Sequence, residues 1–76
     1  MTTADIVRTK AMALAEAGSP DDEALRELLA CCKGKRVSVV LARQQFLKQQ
    51  EDGSADPVAD RAVQLLDEVL ARLPLA

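Results

Sequence analysis

Three glycines, Gly18, Gly34 and Gly53, cut this 76-residue chain into four stretches, and each stretch carries apolar residues at helical spacing. Residues three and four apart share one face of a helix, and glycine is the residue that most readily ends one. The pattern predicts an all-α fold, a small compact bundle of about four helices, with residues 1–76 forming a single helical domain. A chain this short buries only about 60% of the surface its unfolded form exposes, so association is a natural way to add stability.

The first predicted helix runs from about Thr3 to Ala17, with Ile6, Val7, Ala11 and Leu14 inward and Gly18 as its stop. In the second, Ser19 is placed to cap and Pro20 to take the first helical position. Asp21, Asp22 and Glu23 then face the positive end of the helix dipole, and Ser19 with Asp22 approximates a capping box. Leu25, Leu28, Leu29 and Cys32 form its stripe, and Gly34 closes it. The third segment, Val37 to about Gln50, opens on "RVSVVLA", whose β-branched residues also suit a strand. A lone strand needs a partner strand, and "LARQQFLKQQE" is strongly helix-forming, so the whole segment reads as helix. After the turn residues Gly53 and Ser54, Asp56 is placed to cap a fourth helix with Pro57 at its first position. Val58, Ala62, Leu65, Leu66, Val69 and Leu73 make its stripe down to Pro74, and Glu68 and Arg72 form a favourable pair four apart.

Composition narrows the function classes. Apolar residues make up 49% of the chain but aromatics only 1%, so the core is aliphatic around Phe46. No apolar run is long enough to span a membrane. "MTTADIVRTK" lacks the layout of a signal peptide, so a cytoplasmic location is expected. The chain has no histidine, which removes the commonest general base and the commonest zinc ligand. Cys31 and Cys32 are adjacent, so they cannot join distant parts of the fold, and their spacing is not that of a redox or zinc motif. Cys32 completes a leucine stripe and is expected in the core, with Cys31 partly exposed. The cluster Asp21-Asp22-Glu23 is explained by capping, and no glycine-rich phosphate loop occurs. The expectation is a non-catalytic protein with no cofactor and no metal.

What remains is charge. Residues 33–48 hold Lys33, Lys35, Arg36, Arg43 and Lys48 with no acid, inside a chain of net charge −2. Residues 1–32 hold six acids and three bases, and residues 49–76 six acids and two bases. At about 100° per residue, Val40 lies with Leu47 and Val39 with Phe46, while Arg43 falls between the two pairs and Arg36 close by. An arginine among apolar residues must reach water or meet a carboxylate, from the acidic flanks or from a partner. Val37 and Leu41 lie on a further side, giving an apolar arc wider than one core contact requires. Arg36, Val39, Val40, Arg43, Phe46, Leu47 and Lys48 are therefore the candidate interface of a protein-interaction module, an adaptor, regulator or chaperone-like subunit. A homodimer through the third and fourth helices is its simplest form.

The alternative is a DNA binder. In "ELLACCKGKRVSVVLARQQF", the spacing of Ala30, Gly34, Val37 and Val40 resembles a helix-turn-helix. That resemblance implies that Lys35, Arg36, Arg43 and Lys48 meet phosphate, against the grain of a sequence pI near 5.0. Lys35 and Arg43 stand where the motif usually has apolar residues.

Overall fold

The computed structural model describes residues 2–51 and 56–73. Its first helix, α1 (Thr3–Ala17), begins at a capping box. The Asp5 amide donates to the Thr2 hydroxyl at 3.2 Å, and the Thr2 amide donates to the Asp5 carboxylate at 3.3 Å. Hydrogen bonding to the Thr2 side chain, and then to its backbone, holds the Asp5 carboxyl below the ordinary aspartate range. The helix ends as the sequence indicates. Gly18 takes φ 67° and donates to the Ala15 carbonyl at 3.3 Å, while Ser19 reaches back to Leu14 at 3.2 Å. This paired closure satisfies two carbonyls that the last turn leaves open.

The second helix, α2 (Asp21–Cys32), starts one residue later than its sequence suggests. Pro20, not Ser19, is the capping residue: it is extended, with ψ 146°, and its carbonyl accepts the first intrahelical bond from Ala24 at 2.9 Å. No side chain caps this end, so the Ser19–Asp22 box does not form. The three acids of the first turn remain to offset the dipole. At the other end Lys33, at φ 52°, already turns left-handed before Gly34 does so at φ 75°. The Lys35 amide closes the turn on the Cys32 carbonyl at 2.9 Å.

The third helix, α3 (Arg36–Glu51), is helical from its first residue, which settles the strand-or-helix ambiguity of "RVSVVLA". The fourth, α4 (Pro57–Arg72), opens with Pro57 at its first position and the Asp56 carboxylate accepting from the Val58 amide at 2.9 Å. Gly53, Ser54 and Pro74, read as turn and stop residues, lie outside the described residues. Arg72 donates to the Glu68 backbone carbonyl at 3.2 Å, where a pair of the two side chains was expected.

One core cluster draws on all four helices, with Val7, Leu28, Cys32, Val39, Phe46, Leu65, Leu66 and Val69 as its largest fully buried members. Ile6 is a correction: it is 42% exposed, and Ala4 takes the inward position with Val7, Ala11 and Leu14. Ile6 sits a full helical step round from Val7, over Thr9, Ala13 and Cys31 on the α2 side. Leu29 and Val58 are half-buried, at the margin of their stripes.

The helices do not contact one another equally. α1 packs closely on α2, α3 and α4, and α3 packs most heavily on α4, whereas α2 and α3 barely meet. α1 and α4 therefore form the central pair, and α2 and α3 occupy opposite corners. The radius of gyration, 11.4 Å, agrees with the roughly 11 Å expected for a close-packed chain of this length. Corner placement buries α3 on one side only, and this fixes what its other residues can do.

Candidate functional site

The basic segment divides into two sets. On the flank that meets α4, Arg36, Arg43 and Gln50 follow one another at seven-residue intervals, two helical turns apart. Each has a partner on α4. Arg36 Nη1 donates to the Leu70 carbonyl at 3.1 Å, Arg43 Nε pairs with the Asp67 carboxylate, and Gln50 donates to Asp60. The order of these three rungs runs the two helices antiparallel. Leu70 lies in the last turn of α4, where carbonyls lack helical partners and the dipole is negative, so Arg36 caps a neighbouring helix with a cation. Of these partners only Asp67, from the acidic flank of the sequence, supplies a counter-charge from within the fold; Asp60 accepts from a neutral amide and Arg36 meets a carbonyl.

The second set comprises Lys33, Lys35 and Lys48. All three are exposed, and none forms an ion pair among the described residues. Lys33 and Lys35 stand in the turn before α3, and Lys48 lies near its far end. Between them runs the outer face of the helix. Val37, Leu41, Gln44 and Lys48 fall within about 60° of one another on the helical wheel, and every one is exposed. Val37 is 70% exposed and Leu41 46%, and they stand one turn apart. Val40 and Leu47, both half-buried, form the shoulder between this face and α4.

The candidate interface residues are thus distributed over three environments. Val39 and Phe46, at 0% and 2% exposure, belong to the core and support the outer face from beneath. Arg36 and Arg43 bridge to α4, while Val40, Leu47 and Lys48 reach the surface. Sequence reasoning missed Gln50 as the third rung. The signal was present, since Arg36, Arg43 and Gln50 repeat every seven residues and Asp60 and Asp67 do the same.

Of the residues behind the helix-turn-helix resemblance, Gly34 makes the turn and Val40 is half-buried. But Ala30, where the helices should cross closely, and the anchor Val37 are exposed, and α2 and α3 make the least contact of any helix pair. Elsewhere the surface offers shallow concavities. One, of about 340 Å³, lies between α1 and α3 over Arg8, Met12, Phe46 and Gln49. Cys32 is buried, and its thiol lies 3.4 Å from the Leu29 carbonyl; Cys31 is half-buried beside Ile6. Among the described residues no group of three or more Cys, Asp or Glu could hold a metal, and no helix is long and apolar enough to cross a membrane.

Comparison of the chain with protein-family models, curated proteins and solved structures finds no match. The functional reading therefore rests on the face itself.

Proposed function

We propose that this protein is a small, non-catalytic interaction module that binds another protein through the outer face of α3. One observation carries the reading. Of the three large hydrophobic residues exposed among the described residues, Val37 and Leu41 stand one turn apart on a single helix face. Scattered apolar residues are ordinary on a protein surface, but an aligned pair with apolar shoulders is the form a helix presents to a partner. Arg36 and Arg43, which a nucleic-acid site would turn to phosphate, are engaged by α4, and this favours protein over nucleic acid as the ligand.

Site-specific photo-crosslinking in the native host tests this. A benzoylphenylalanine in place of Leu41 should give a discrete protein adduct, and one in place of Glu23 on α2 should not. Adding Val37→Ser should abolish the Leu41 adduct. A nucleic-acid adduct at Leu41, or equal adducts from both sites, would reject the proposal.

A further inference from the structure

We infer that the occupant of this face is a single acidic amphipathic helix of a partner protein, an inference that rests on reading α3 as a protein-binding surface. The argument starts from shape. The exposed strip from Val37 to Lys48 is one helix wide and, at 1.5 Å per residue, roughly 16 Å or three turns long. That is the footprint of one helix laid alongside another, and it is too narrow for the broad patch of a globular interface.

Charge then selects the sequence of that helix. Val37 and Leu41 form the apolar midline, with Lys33 and Lys35 at one end and Lys48 at the other, all without an ion-pair partner among the described residues. From Lys33 to Gln50 the segment contains no acid, so this stretch cannot neutralise itself. A complementary helix brings apolar residues for the midline and carboxylates for the ends. The heavier acidic end belongs beside Lys33 and Lys35, where the positive end of the α3 dipole adds to two side-chain charges. A second copy seated through these same lysines would set like charges together, and bare phosphate would gain nothing from Val37 and Leu41.

The test is a titration of the intact, isotopically labelled protein with a synthetic helical peptide of about four turns, leucines on one face and glutamates on its flanks. A second peptide replaces every glutamate by glutamine. Methyl resonances of Val37 and Leu41 should shift with the glutamate peptide, and the glutamine peptide should bind about tenfold more weakly, the combined effect of three rim ion pairs. Replacing Lys33, Lys35 and Lys48 together by glutamine should erase the difference between the peptides. These lysines are exposed, so the fold should survive, and an unchanged melt verifies it.

Equal binding of the two peptides, shifts centred on another face, or no shift with either peptide would overturn the inference. So would preferential binding of a DNA duplex, or self-association through α3 that excludes the peptide. The two readings fail separately: a Leu41 protein adduct without any glutamate preference removes only the acidic helix, whereas a nucleic-acid adduct removes both.

Discussion

Arg36→Ala is the perturbation that most directly probes the division of the basic segment. Its guanidinium is half-buried and donates at 3.1 Å to the Leu70 carbonyl in the last turn of α4. A hydrogen bond from a charged donor contributes about 1.5–3 kcal/mol when well sheltered, and a cation at a helix C-terminus about 0.3–1 kcal/mol on the surface. Water can partly replace the donor at this half-exposed site, so a loss of about 1–2 kcal/mol is expected. In a domain of this size each kcal/mol lowers Tm by about 4–8 °C. Arg43→Ala should cost less. Its side chain is 35% exposed and that of Asp67 50%, and ion pairs so placed are worth about 0.2–1 kcal/mol. Urea unfolding of both variants, followed by circular dichroism, measures the two effects on one scale. An Arg36→Ala protein as stable as the parent, or one less affected than Arg43→Ala, would refute the assignment of Arg36 as the cap of α4.

Three further outcomes follow from the same structure. Phe46→Ala should cost about 3–5 kcal/mol, a large share of what a chain this small possesses, while Phe46→Leu should be much milder; a small loss on Phe46→Ala in urea unfolding would mean the side chain is not at the centre of the core. Cys32→Ser should destabilise the fold by putting a hydroxyl in a fully buried site, and Cys31→Ser should be nearly neutral; equal thermal melts would show that the inner face of α2 is misassigned. Because the folded Asp5 carboxyl is depressed, its contribution is present above the ordinary aspartate range and is lost as pH falls through the folded value. Asp5→Asn should therefore lose part of the acid dependence of stability below that range, read from melts across acidic pH.

Helix positions were legible in the sequence because local chemistry dictates them. The Gly18 closure of α1 and the Asp56–Pro57 start of α4 are chosen within a few residues, so no knowledge of distant contacts is needed. The start of α2 was misjudged by one residue for a similar local reason. A proline in an extended conformation serves as cap through its own carbonyl, and a serine before it then gains nothing. Ile6 was legible too: Ala4, Val7, Ala11 and Leu14 stand three, four and three apart on one face, and Ile6 lies a helical step outside it. The wheel of α3 separated Val39 with Phe46 from Val40 with Leu47, but it contained no information on which pair faces the centre. That depended on α3 lying at a corner between α1 and α4.

The corner position also separates the folding role of α3 from its proposed binding role. Val39, Ala42 and Phe46 are buried on its inner side, and Arg36, Arg43 and Gln50 tie its flank to α4. Val37 and Leu41 stand on the outer side, 70% and 46% exposed, so the fold buries them only in part. Replacing both by serine removes apolar surface that the folded state buries only in part, so stability should fall by about 1–2 kcal/mol, well short of the cost of Phe46→Ala. The same double change should eliminate partner binding, since it deletes the midline on which an apposed helix would rest. Melting of the Val37→Ser, Leu41→Ser protein, and crosslinking from a benzoylphenylalanine at the exposed Gln44 with and without the two changes, separate the two roles. A large fall in Tm would place these side chains in the core and leave α3 without a free face. A stable protein that has lost its adduct is the result expected from the proposed docking face.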